Sequence, residues 1–200
     1  MGNLEEVTRA ISEARLPIQL VVVTGHNWRL RERLAARRWE VPTVIHGFVT
    51  DMHRWMAASD VLVTKAGPSS IAEALALGLP ILLYGAVPGQ EEGNVTYVVA
   101  SGVGAYARDT ASLVSILKEW LRPDNPTMDE MVQRACQVGR ADAALTVARE
   151  LAALMEKRKN ARDGRETQGA GSVPVPGQET PTQEQSEAAQ LASGDESVPA

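Results

Sequence analysis

The residues best suited to chemistry lie between two apolar stretches: Lys65, Gly67, Pro68, Ser69, Ser70 and Glu73 follow Val61-Leu62-Val63 and precede the run Leu79 to Tyr84. Val61 to Val63 reads as a short buried strand that the glycine and proline break, after which Ser69 or Ser70 can cap a helix with an apolar face of Ile71, Ala74, Leu75 and Gly78. Strand, turn, helix and second strand in that order open a helix N-terminus at the carboxyl end of a parallel strand. Free N–H groups and the helix dipole favour an anion there. Phosphate is the natural guest, with Ser69 and Ser70 as N–H and hydroxyl donors and Lys65 as the counter-charge. Glu73, one turn inside the helix, can accept from two ribose hydroxyls, and Gln90, Glu91 and Asn94 after the next strand can bind sugar hydroxyls. The same residues admit a ligand-free reading, because Ser70-Ile71-Ala72-Glu73 has the spacing of a capping box that closes a helix end on itself.

Such a site needs a scaffold that brings several turns to one edge. Apolar periodicity predicts helices over Asn3 to Arg15, Trp28 to Arg38, Thr50 to Ala58, Asn94 to Ala100, Asp109 to Leu121, Met128 to Val138 and Asp142 to Lys159, besides the one after Gly67. Strands are predicted at Ile18 to Val23, Val41 to His46, Val61 to Val63, Leu79 to Tyr84 and Gly102 to Tyr106. The alternation implies an α/β fold with a doubly wound parallel sheet and ligands beyond the carboxyl ends of the strands. Right-handed crossovers put the turns at 24–27, 47–50, 64–70, 85–94 and 106–109 on that edge. A helix ahead of the first strand is the wrong phase for such a domain, which usually opens with its central strand, so the first strand is expected to be missing.

Composition narrows the partners. The 200 residues carry a formal charge of −5, yet residues 166–200 hold six acids and no Lys or Arg, while residues 1–165 hold 20 basic and 19 acidic side chains. Residues 160–200 are expected to be a disordered acidic tail rich in Pro, Gly, Ser and Gln, and residues 1–159 the folded domain. A near-neutral body argues against nucleic acid as a partner. The single cysteine, Cys136, excludes an internal disulfide and is expected to be buried or half-buried. His26, His46 and His53 lack metal-ligand spacing, and neither a P-loop nor a nucleophile elbow is present. No stretch is apolar and long enough to cross a membrane, and no signal or transit peptide is recognisable. Trp28, Arg29, Arg31, Arg33, Arg37, Arg38 and Trp39 fall in or near one predicted helix; they suit either peripheral membrane contact or a solvated helix with Trp39 against the core.

The run T-K-A-G-P-S-S-I-A-E-A-L-A-L-G-L-P-I from Thr64 to Ile81 closely resembles the monogalactosyldiacylglycerol synthases, as do G-F-V-T at Gly47 to Thr50, G-Q-E-E-G-N at Gly89 to Asn94 and Y-V-V at Tyr97 to Val99. These are GT-B glycosyltransferases of family 28, more distantly similar to the bacterial lipid-II-forming N-acetylglucosaminyltransferase. The resemblance implies the C-terminal, UDP-sugar-binding domain of an inverting enzyme that transfers galactose from UDP-galactose to 1,2-diacylglycerol in galactolipid synthesis. By position, Phe48 and Val49 would hold the uracil, Ser69 and Ser70 in the Gly67-Pro68 turn the diphosphate, Glu73 the ribose, and Gln90, Glu91 and Asn94 the hexose. No metal or other cofactor is implied. The catalytic base and the diacylglycerol surface would lie on an N-terminal acceptor domain that is not in this chain. Met1-Gly2 falls near the end of the family's glycine-rich loop.

This chain departs from the family in having Ser69 and Ser70 where Gly-Thr is usual, and His26 where arginine is common. A chloroplast envelope location follows from the same resemblance. The alternatives are a noncatalytic nucleotide-sugar-binding subunit or truncated gene product that needs a partner chain at its open sheet edge, and a related UDP-N-acetylglucosamine transferase.

Overall fold

A computed structural model describes residues 4–169, with side chains to 160. The expected tail beyond Gly169, and Met1-Gly2 at the other end, lie outside the described residues. The elements run α1 (Leu4–Glu13), β1 (Leu20–Val23), α2 (Trp28–Ala35), β2 (Thr43–His46), α3 (Met52–Ala57), β3 (Leu62–Lys65), α4 (Pro68–Ala76), β4 (Ile81–Gly85), α5 (Glu92–Ala100), β5 (Gly104–Tyr106), α6 (Thr110–Trp120), α7 (Thr127–Val138) and α8 (Ala143–Gly169). Every expected helix and strand is present, all strand pairs are parallel, and the α/β class holds.

The expected single sheet is in fact two. Among the described residues β1 pairs with β2 alone, and β3, β4 and β5 form a separate three-stranded sheet with β4 in the middle. Leu20 to Val23 register against Thr43 to His46, and Leu62, Val63 and Thr64 against Ile81, Leu82 and Leu83, with a shift between Thr64 and Lys65.

Side-chain alternation along β4 divides the core into two layers. Ile81 and Leu83 pack with Met56, Ile71, Ala74, Leu75, Val98 and Ala135 from α3, α4, α5 and α7. Leu82 turns to the opposite face, with Val7 and Ile11 of α1 and Leu113, Leu117 and Trp120 of α6. That second layer also takes in Leu20 of β1, Val63 of β3 and Val61 just before it, so it underlies both sheets.

Four expectations change. α2 ends at Ala35, with the Ala36 N–H closing it, so Arg37, Arg38 and Trp39 follow the helix. Gly78 lies past the end of α4 with φ +69°, a left-handed stop rather than part of the apolar face. Cys136 is exposed, because α7 buries Met131 and Ala135, four residues apart on one face, and Cys136 is one step off it. α8 continues past Lys159 to Gly169. The chain divides into a unit ending at Thr146 and one beginning at Val147; in the second, Val147, Leu151, Leu154 and Met155 are all exposed.

Candidate nucleotide-sugar site

α4 starts earlier than a serine cap would allow. Gly67 is the N-cap, with no side-chain cap, and Pro68 occupies the first helical turn. Proline suits that position because its φ is already helical and its missing N–H has no partner to lose. Ser69 and Ser70 therefore sit inside the first turn, and the Ser70-to-Glu73 capping box is not formed. The Ile71 N–H donates to the Gly67 carbonyl at 3.2 Å and the Gly67 N–H to the Lys65 carbonyl at 2.8 Å. Between them the N–H groups of Ser69 and Ser70 have no carbonyl one turn back. Two backbone donors stand at the positive end of a nine-residue helix, with the exposed Lys65 just before it, an arrangement whose electrostatics suit an anion. Glu73 is exposed on the second turn of α4.

The loop after β4 is built by its own acids. Gly89 takes φ +75°, a conformation that disfavours any other residue. The Glu91 carboxylate accepts the Val87 N–H at 2.8 Å and Glu92 the Gly89 N–H at 3.2 Å. Asn94 donates its side-chain amide to the Ala66 carbonyl at 2.8 Å, fastening the start of α5 to the turn before α4. Glu91 and Asn94 thus spend part of their hydrogen-bonding capacity on the loop. Gln90 stays exposed, with its backbone N–H on the Val87 carbonyl at 3.2 Å.

The ends of β1 and β2 form the other half of the edge. Thr24 joins them, its N–H and hydroxyl both donating to the His46 carbonyl, at 3.0 and 3.1 Å. The turn after β1 carries Gly25 at φ +59°, and Asn27 accepts the Leu30 N–H at 3.1 Å as the N-cap of α2, which gives the Gly-x-Asn turn a structural task. The His26 imidazole stacks on the Phe48 ring, centroids 4.3 Å apart and planes 14° apart, and Phe48 is 61% exposed. The pair makes a flat aromatic platform open to solvent, with Val49 half-buried beside it. His46 tilts against Trp55 at 4.4 Å, and its buried Nε2 has no hydrogen-bond partner among the described residues. Sequence reasoning left His26 without a role; its place in the turn beside Gly47-Phe48 was the available signal.

Outside this edge, Trp28 is 60% exposed and carries the Arg29 guanidinium 5.3 Å from its ring centroid. Arg33 and Arg37, two of the five arginines between Trp28 and Trp39, share the Glu5 carboxylate of α1 at 3.1 and 3.9 Å, and Arg15 pairs with Glu40 at 2.7 Å. The Trp39 indole N–H donates to the Leu34 carbonyl at 3.1 Å, tucking the ring against the end of α2. No described helix is long and apolar enough to cross a membrane.

Comparison with known proteins bears on the same region. Residues 3–155 match the glycosyltransferase family 28 C-terminal domain. Among curated proteins the chain is similar to the probable monogalactosyldiacylglycerol synthase 3, chloroplastic, of Oryza sativa subsp. japonica, 37% identical over 158 residues that make up 76% of this chain and 31% of that one. It is likewise similar to monogalactosyldiacylglycerol synthase 2, chloroplastic, of Arabidopsis thaliana, 36% identical over 165 residues, 79% of this chain and 35% of the relative. It thus spans 31% and 35% of the length of these two relatives. Among solved structures, Acinetobacter baumannii MurG superposes with a TM-score of 0.56 at 15% identity, over 69% of this chain and 42% of that one. WaaG, a glycosyltransferase involved in lipopolysaccharide biosynthesis, gives 0.50 at 23% identity, over 68% and 39%. Both likenesses concern the fold, that of a GT-B C-terminal domain.

Proposed function

The chain belongs to the glycosyltransferase family 28 C-terminal domains, and from that premise we propose that it is the donor-binding half of an inverting enzyme that transfers galactose from UDP-galactose to 1,2-diacylglycerol. The observation that carries this reading is the early start of α4 at Pro68, which leaves the Ser69 and Ser70 N–H groups without an acceptor beside Lys65. A diphosphate fits that combination of fixed dipoles and one cation.

In this reading the Phe48 face takes the uracil with the Val49 backbone at its edge, Glu73 accepts from the ribose hydroxyls, and Gln90 and Asn94 meet the hexose. Glu91 contributes mainly by holding the Val87 N–H and so the shape of the loop. As the sugar–phosphate bond breaks, negative charge grows on the β-phosphate. The α4 N–H groups and Lys65 face it already oriented, so stabilising it requires no reorganisation. The proton of the attacking hydroxyl passes to a base on the acceptor half, so this chain alone binds donor and turns over nothing. The donor site works without a metal or any cofactor besides the UDP-sugar itself. The synthases named above are called chloroplastic; we place this chain at the chloroplast envelope, with Trp28 and Arg29 as its peripheral contact with the membrane surface.

The test is reconstitution. This chain, mixed with a separately expressed acceptor half of a monogalactosyldiacylglycerol synthase, radiolabelled UDP-galactose and diacylglycerol vesicles, should yield labelled galactolipid that neither half makes alone. Labelled product from UDP-N-acetylglucosamine and none from UDP-galactose would reassign the donor.

A further inference from the structure

The His26–Phe48 stack joins two turns of unequal rigidity. The turn that carries His26 is tied on both sides of it: the Asn27 N–H donates to the Thr24 carbonyl at 3.3 Å, the Trp28 N–H donates to the His26 carbonyl at 2.9 Å, and the Asn27 side chain caps α2. Phe48 has no comparable hold. Among the described residues neither Phe48 nor Val49 gives or accepts a hydrogen bond, and the Phe48 ring is mostly exposed. A Cβ at Gly47 would lie 3.3 Å from Cδ of Arg31 and 3.7 Å from the Gly25 carbonyl oxygen, so the bare glycine lets the two turns stand this close.

An exposed aromatic side chain on such a loop samples several rotamers, and ordering it only when a ligand arrives lowers affinity. The contact with His26 orders it beforehand, the two rings lying 14° from parallel. It also decides which face of Phe48 is open. A base inserted between the rings would need about 3.5 Å of clearance on either side, or about 7 Å in all. The centroids are 4.3 Å apart, so the imidazole closes one face of Phe48 and leaves the opposite one.

We propose that His26 is a positioning residue for the nucleotide base: it orders the Phe48 ring before the donor arrives and closes one of its faces, so that the base stacks on the other alone. This rests on the donor-site reading above. The role needs a flat ring at position 26 and no proton transfer. Its effect falls on the base half of the nucleotide and spares the phosphate contacts of the α4 turn, which belong to other elements.

The test titrates the full chain with UDP, uridine and pyrophosphate, as the parent and as His26→Ala, His26→Leu and His26→Phe. The alanine and leucine variants should bind UDP and uridine about fivefold more weakly and pyrophosphate equally well, while the phenylalanine variant keeps the parent affinities. In a Phe48→Leu background, His26→Ala should cause no further loss, because the two residues act as a unit. Proton NMR supplies an independent signature. The His26 ring protons should be shifted upfield by the Phe48 ring, lose that shift in Phe48→Leu, and keep it when UDP saturates the parent. An upfield shift erased by UDP would mean that the base inserts between the rings, and would overturn the proposal. So would rescue by leucine as complete as by phenylalanine, or UDP binding that His26→Ala leaves unchanged. Those outcomes leave the donor site standing, whereas a folded parent that takes up neither UDP nor uridine would sink the donor reading and this inference together.

Discussion

Lys65 stands at the mouth of the α4 turn with its side chain exposed, so the contribution proposed for it is electrostatic. Lys65→Met keeps most of the stem and removes the charge; UDP affinity is expected to fall about tenfold, roughly 1.4 kcal/mol, with a smaller loss for uridine. Calorimetric titration of both ligands separates phosphate binding from base binding, and equal losses would place Lys65 away from the phosphates. Asp109 carries a different kind of prediction. Its carboxylate accepts the Ser112 N–H at 2.7 Å in a reciprocal cap on α6, and that hydrogen bonding lowers its pKa from the ordinary value. A depressed folded pKa gives stability that is present above the unfolded value, about 3.9, and lost as pH falls through the folded one. Asp109→Asn still caps but cannot titrate, so melting temperatures measured from pH 6 down to pH 2 should fall less steeply for the variant than for the parent. At this scale the sequence was a partial guide. The order of Lys65, Ser69 and Ser70 placed them correctly at the start of α4, but the internal tasks of Glu91, Asn94 and Asn27 depend on loop hydrogen bonds that no periodicity encodes.

The elements themselves were largely legible, and their ends were not. β1 opens at Leu20 because the Ile18 N–H turns back to the Leu16 carbonyl at 2.8 Å, and β4 opens at Ile81 because the Leu79 N–H is spent closing α4 on the Ala74 carbonyl at 2.9 Å. The start of α4 was misplaced for a related reason: the serine pattern suggested a side-chain cap, whereas the fixed φ of Pro68 lets the helix begin ahead of both serines. Asn27→Ala removes the side-chain acceptor for the Leu30 N–H and should cost about 1 kcal/mol in urea unfolding. β5 is held to tighter tolerance. A Cβ at Gly104 would run into the backbone carbonyl of Ile81, itself fully buried in β4. Gly104→Ala should therefore destabilise by about 1–3 kcal/mol in the same assay, and a variant within 0.5 kcal/mol of the parent would mean that β5 shifts at little cost.

At the scale of the molecule, two parallel half-sheets on one helix layer carry the two halves of the candidate site: the His26–Phe48 platform at the ends of β1 and β2, and the α4 turn with the Gly89 loop at the ends of β3 and β4. The alternation of strands and helices foretold the parallel class. The division into two sheets was not legible, because apolar letters such as Leu20-Val21-Val22-Val23 look alike whether a strand has one neighbour or two. The central claim is that this fold positions a UDP-sugar, and the most direct measurement is calorimetric titration of the chain with UDP, UDP-galactose and UDP-glucose, repeated with Glu73→Ala. The account predicts UDP binding that the substitution weakens by about tenfold, or 1.4 kcal/mol, and tighter binding of UDP-galactose than of UDP-glucose. A chain that circular dichroism shows to be folded, yet that takes up none of the three, would contradict it.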